Sequence, residues 1–179
     1  MGRRLRLTVA LLLVGSAGGS TIAFGGSNPF DNPAEVSRPA VRVTPPTDSP
    51  SSPERATALE LVTLVNAERV RRSLPAFQWH ELLWTAANAH STEMAANDTM
   101  RHQGDDGSNA GDRIAAAGFV WSAWGENLGA GHTDPAQLLT SWLNSPGHRT
   151  ILLGNYRYIG IAVVESSTGT PYWTMVVAS

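Results

Sequence analysis

The order in which helical and strand-like patterns occur along this chain limits its fold more than any other feature. Four stretches carry apolar residues at helical spacing, namely 55–73, 79–98, 110–118 and 134–153. Two β-rich runs follow, "YIGIAVVE" and "YWTMVVAS", joined by the turn-forming "SSTGTP". Because helices precede a late hairpin, the pattern favours an α+β layered domain over a doubly wound parallel sheet, in which strands and helices would alternate.

The first two helical patterns are amphipathic. The apolar side of the first is predicted to comprise Leu61, Val62, Val65 and Val70, with Glu68, Arg69, Arg71 and Arg72 on its other faces. In the second, one side is formed by Leu83, Ala87, His90 and Met94. A histidine within an apolar stripe is expected to be a hydrogen-bonded core residue, so His90 is interpreted in this way.

A break is predicted within the last helical stretch. Asp134 can cap a helix and Pro135 suits its first position, and the buried stripe of that helix is predicted to be Leu138, Leu139, Trp142 and Leu143. Ser145 and Pro146 then repeat the same start signal. The chain is therefore expected to end one helix there and begin a short one, with Ser145 as its cap.

The segments before the helices have a different composition. Arg3, Arg4 and Arg6 precede a short apolar run, so residues 1–27 are predicted to be a secretory signal peptide or an uncleaved anchor. Residues 28–54 are rich in Pro, Ser and Thr and read as a disordered linker, which leaves 55–179 as the folded domain. Without cysteine the chain can form no disulfide. A monomer that is secreted or associated with the cell envelope is expected, and membrane contact is expected only through the first segment.

Three residues are candidates for shared chemistry. His102 lies in a loop, Glu126 in the glycine-containing "WGENLGAG", and His148 at the start of the last short helix. Imidazole and carboxylate together can hold a divalent ion or share protons, but no local ligand spacing links these residues. His80 and His132 are interpreted as capping or surface residues. Since the net charge is −2 and the arginines are scattered, nucleic-acid binding is not expected.

Several motifs occur together in one order: "LVNAERVRRSLPAFQW", "AANAHSTEMAAND", "GENLGAG" and "SWLNSPGHRTILLGNYRYIGIAV". In this combination the chain resembles the bacterial, SCP-like extracellular branch of the CAP superfamily. The resemblance implies an α-β-α sandwich whose central antiparallel sheet is covered by helices on both sides. It also implies a cleft that holds zinc or another divalent cation, with His102, Glu126 and His148 as ligands. A fourth, acidic position of many relatives falls at Ser145, which should weaken cation binding.

Other residues near these motifs are expected to line the cleft. They are Ser145, Asn127, Asn144 and Arg149, and the amide of Asn127 is a candidate to orient Glu126. A Ser145–His148–Glu126 hydrolase triad is conceivable, but no nucleophile-elbow sequence surrounds the serine and capping explains it more simply.

Three functions stay open at this stage. The first is a binding module for a lipid, a peptide or a cell-surface ligand. The second is a metal-assisted, protease-like hydrolase in which the same three residues activate a water molecule. The third is a structural role in which the polar residues of the cleft satisfy one another and specify the fold.

Overall fold

The computed structural model describes residues 15–16 and 52–179. Apart from two residues, the predicted signal segment lies outside this part, as does nearly all of the predicted linker. In chain order the elements are β1 (Gly15–Ser16), α1 (Pro53–Arg71), β2 (Gln78–Trp79), α2 (Glu81–Ala96), α3 (Ala110–Ala116), β3 (Ala123–Ala130), α4 (Pro135–Asn144), α5 (Pro146–Leu152), β4 (Tyr158–Glu165) and β5 (Pro171–Ala178). None of the described helices is both long and apolar enough to cross a bilayer.

The sheet has the strand order β1-β3-β5-β4-β2, so β5 lies at its centre. β5 pairs antiparallel with both β3 and β4, whereas β2 adds a short parallel pairing to β4. The predicted hairpin of the last two strands is confirmed. β3 was not predicted as a strand, because its glycines have low strand propensity and its buried residues on both faces leave no alternation of polar and apolar residues.

Helices cover both faces of the sheet. On one face, α1, α4 and α5 enclose a core that includes the fully buried Trp142 and Trp173. On the other face, α2 and α3 enclose a second core with Leu83, Ile114 and Trp124. The predicted α-β-α sandwich with a central, mainly antiparallel sheet is therefore confirmed.

Glycines in the sheet let the helices approach closely. A Cβ on Gly160 of β4 would overlap the main chain of Leu83 and Trp84, where α2 crosses the strand. In β3, a Cβ on Gly129 would come within 2.6 Å of the Leu138 side chain. The strand glycines therefore serve packing between the sheet and the helices rather than turn formation.

The predicted helix starts are confirmed, including the break at Ser145 and the new helix from Pro146, but the predicted cap of that new helix is not. Asp134 Oδ1 accepts a hydrogen bond from Ala136 N, and His80 Nδ1 accepts one from Leu82 N, so both act as caps. Ser145 occupies the cap position of α5, but its hydroxyl makes no capping hydrogen bond, and this expectation was wrong. Ser145 joins two helices through its main chain instead, since its N–H bonds to the end of α4 and its carbonyl accepts from the first turn of α5.

The buried face of α1 also differs from the prediction. Val70 is 62% exposed, whereas Arg69, which was assigned to another face, is only 2% exposed. Arg69 continues the row of Leu61 and Val65 at intervals of four residues, which is the helical spacing of one face. Its guanidinium donates to the carbonyls of Pro75, Leu152 and Gly154 and lies 3.6 Å from the centre of the Phe77 ring. Arg69 therefore ties α1 to the end of α5.

Candidate functional site

Glu126 lies in the middle of β3, and its side chain is only 3% exposed. Both carboxylate oxygens are occupied: His102 Nδ1 lies 2.8 Å from Oε1, and Arg113 Nη2 lies 2.6 Å from Oε2. A buried carboxylate requires such partners, because desolvation penalises an uncompensated charge. We refer to Glu126, His102, Arg113 and His148 as the cup.

Arg113 of α3 is the cup residue that sequence reasoning missed. Its side chain is 10% exposed, and besides Glu126 it donates to the carbonyls of Ser108 and His102. It therefore holds the loop of His102 against the sheet. The sequence offered only a weak signal, namely that Arg113 is the one basic residue of α3.

His148 lies in the first turn of α5, close enough to His102 for the charge of that ring to act on it. Its ring is half-buried, and burial, with a smaller contribution from the charge of His102, lowers the pKa of His148 below its ordinary value. Its carbonyl accepts a hydrogen bond from Asn127 Nδ2 at 3.0 Å, which fixes the start of α5 against β3. The structure thus brings the three predicted residues into one region.

A third imidazole lies in the core near the same charges. His90 is fully buried, and its Nε2 is 2.8 Å from the carbonyl oxygen of Arg101. Burial lowers the pKa of His90, whereas the negative charge of Glu126 acts in the opposite direction. His90 is therefore the hydrogen-bonded core histidine that the sequence predicted.

The predicted cleft-lining residues lie in different environments. Asn127 is fully buried and bonds to the main chain of His148, not to Glu126, because neighbouring residues in a strand point to opposite faces. Ser145 is half-buried, whereas Asn144 and Arg149 are exposed. The Arg149 guanidinium donates to the carbonyl of Leu143 near the end of α4.

The cup does not fit the divalent cation that the resemblance implies. Within residues 15–16 and 52–179, no three His, Cys, Asp or Glu side chains are arranged to hold a metal ion. Both oxygens of Glu126 already bond to Arg113 and His102, and Ser145 brings a hydroxyl in place of a carboxylate. Two imidazoles are fewer ligands than protein zinc sites use. Metal binding stays a prediction that would require Arg113 to leave Glu126.

The comparison with protein families agrees with this architecture. The model of the cysteine-rich secretory protein family, CAP, matches residues 62–177, which is more than half of the chain. The chain belongs to the CAP family. Its CAP domain contains β3 with Glu126 and α5 with His148, so the cup lies within the matched region.

Similar proteins come from several bacteria. The uncharacterized protein YkwD of Bacillus subtilis is 34% identical over 127 residues, which are 69% of this chain and 48% of YkwD. An extracellular, SCP-domain protein of Bacillus anthracis is 28% identical with a TM-score of 0.65, over 73% of this chain and 44% of that one. An outer surface protein of Borrelia burgdorferi is 18% identical and shares the fold with a TM-score of 0.66. The match covers 70% of this chain and 93% of the Borrelia protein. The CAP domain thus spans less than half the length of the Bacillus proteins.

Proposed function

We propose that this CAP-domain protein is exported, either secreted or held at the cell envelope, and acts as a binding module. The Arg-rich start followed by a short apolar run supports export, as does the similarity to an extracellular and an outer surface protein. The ligand contacts the cup through the imidazoles of His102 and His148.

One observation carries this proposal: Glu126 is occupied on both oxygens while the neighbouring His102 side chain stays 34% exposed. The bond from Nδ1 to Glu126 orients the ring and leaves Nε2 free for a ligand. The charges of Glu126 and Arg113 offset each other, so the cup has no free negative charge. The imidazolium forms of His102 and His148 suit an acidic group, namely a carboxylate or a phosphate, because both ring nitrogens then carry a proton to donate.

That chemistry occurs in lipids, peptides and cell-surface components, and the experiment must separate these sources. The ring signals of His102 and His148 would be followed by NMR while the full chain is titrated with anionic phospholipid vesicles, with a peptide that has a free carboxylate, and with inorganic phosphate. We expect saturable shifts with one organic probe and about tenfold weaker binding in His148→Ala, since a lost charge-assisted hydrogen bond costs about 1.5 kcal/mol.

His132→Ala is the matched control, because His132 lies outside the cup and should leave the affinity unchanged. If phosphate alone produces the shifts, the cup recognises only the anion. If no probe gives a saturable change, the binding proposal fails and the contacts of the cup have the structural role of specifying the fold.

The hydrolase alternative has one observation in its favour. The pair of His102 and Glu126, 2.8 Å apart, is the arrangement that orients an imidazole as a general base. Among the described residues, however, no hydroxyl group bonds to His102, and Glu126 itself has no free oxygen to act as a base. Hydrolysis therefore ranks second, and unchanged turnover of any substrate after Glu126→Gln would remove it.

A further inference from the structure

The outer edge of β4 has no strand partner over its second half. β4 pairs with β5 along its length but with β2 only at Tyr158 and Ile159. The carbonyl of Ile159 faces β2, since it accepts from His80 N at 2.9 Å. Because main-chain groups alternate in direction along a strand, those of Val163 and Glu165 face the same outer edge. Within residues 52–179 no strand continues the sheet there.

A slot lies along this edge, with a volume of about 370 Å³. Val163, Val164 and Glu165 form its floor. The first turn of α1 forms one wall, and Trp84, Asn88 and Thr92 of α2 form the other. A second cavity of about 220 Å³ shares Glu54, Val163 and Glu165 with the first and lies against the start of β5. We refer to this combined space as the edge slot. The unpaired strand edge in its lining suits an extended chain rather than a compact ligand.

The charges around the edge slot favour a basic ligand. Glu54 and Glu165 are exposed, and neither forms an ion pair with another described residue. The neighbouring guanidinium of Arg55 is paired with Glu81 and lies 4.5 Å from the centre of the Trp84 ring. Two carboxylates without an ion-pair partner among the described residues therefore flank the unpaired part of the β4 edge.

We infer that the edge slot binds an extended peptide segment carrying lysine or arginine side chains, which adds as a strand to β4. The main chain of the peptide bonds to Val163 and Glu165, and a basic side chain lies between Glu54 and Glu165. The side chains of Asn88 and Thr92 bond to no other described group and are available to the peptide. This site is separate from the cup, and the inference does not depend on the proposed function.

A second copy of the chain is a poorer occupant for electrostatic reasons. Its β4 edge would add the carboxylates of a second Glu54 and a second Glu165 to a space that already has two, and like charges brought together across an interface are unfavourable. A basic peptide removes this repulsion and also protects an exposed edge from unspecific pairing.

The test uses the full chain and three blocked hexapeptides: Thr-Arg-Val-Arg-Val-Thr, its counterpart with glutamate for arginine, and its counterpart with proline for valine. Affinity is measured by NMR titration, and hydrogen exchange reports on the amides of Val163 and Glu165. We expect the basic peptide to bind at least about tenfold more tightly than the other two and to slow exchange at both amides.

The variant with both Glu54→Gln and Glu165→Gln should weaken binding about fivefold, as expected for two exposed charge contacts. Glu60→Gln is the matched control, because Glu60 is an exposed residue of α1 outside the edge slot, and it should leave affinity within about twofold.

Equal binding of the proline peptide would overturn the inference, since a proline removes the main-chain donor. Slow exchange at both amides before any peptide is added would also overturn it, because another part of the chain or a second copy would then occupy the edge slot. Binding lost in His148→Ala but kept in the double glutamate variant would assign the peptide to the cup instead.

Discussion

The close contact between α2 and β4 predicts a large cost for adding a single methyl group at Gly160. A Cβ there would overlap main-chain atoms of Leu83 and Trp84 and lie within 2.7 Å of the Leu83 carbonyl oxygen. Main-chain atoms at the start of a helix cannot rotate away, so α2 would have to move by about 1 Å from the sheet. This movement would loosen the second core.

Gly129 provides the matched comparison for this variant. It is also a buried strand glycine, but its added Cβ would meet the end of the Leu138 side chain, which can change rotamer. Overpacking in a core costs about 1–3 kcal/mol, and a clash with main chain belongs at or beyond the upper end of that range. We expect a loss of about 3 kcal/mol or more for Gly160→Ala and about 1–2 kcal/mol for Gly129→Ala.

Calorimetric melting and urea denaturation measure both losses. For a domain of this size, about 3 kcal/mol corresponds to a fall in melting temperature of roughly 10 °C. The reasoning is refuted if Gly160→Ala melts within about 2 °C of the parent chain, or if Gly129→Ala is the more damaging of the two.

Three further outcomes follow from the structure. Arg69→Leu leaves three carbonyl oxygens without a donor, so the free energy of unfolding measured by urea denaturation should fall by about 3 kcal/mol. A fall below about 1 kcal/mol would contradict the role of Arg69 in holding α1 to the end of α5. Arg113→Gln frees one oxygen of Glu126, so zinc should raise the melting temperature of this variant but not that of the parent chain. A higher melting temperature of the parent chain with zinc would contradict the conclusion that the cup does not fit a divalent cation. The pKa values of His90 and His148 are lowered in the folded state, so the unfolded state binds more protons below about pH 6.5. The melting temperature should therefore fall from about pH 7.5 to about pH 5.5. A melting temperature that stays constant or rises over this range would contradict the expectation.

Periodicity in the sequence was sufficient to predict the helices and the final hairpin, because each buries one regular face. It could not reveal β3, whose residues are buried on both sides and whose glycines resemble loop residues. The residues of the cup could be predicted only in part. Motifs pointed to His102, Glu126 and His148, but the partner of a buried carboxylate is chosen by tertiary packing, so Arg113 was missed. The burial of Arg69 in place of Val70 likewise depended on carbonyl groups more than eighty positions away.

The central position of β5 has a consequence for the order in which this domain assembles. Both strands that flank β5 precede it in the chain, so neither antiparallel ladder can form until residues 171–178 have left the ribosome. Until then, the helices have no sheet on which to bury their apolar faces, and folding waits for contacts that are distant in sequence. The sheet and both of its cores consequently form together in one late step, once the central strand has emerged, rather than one element at a time.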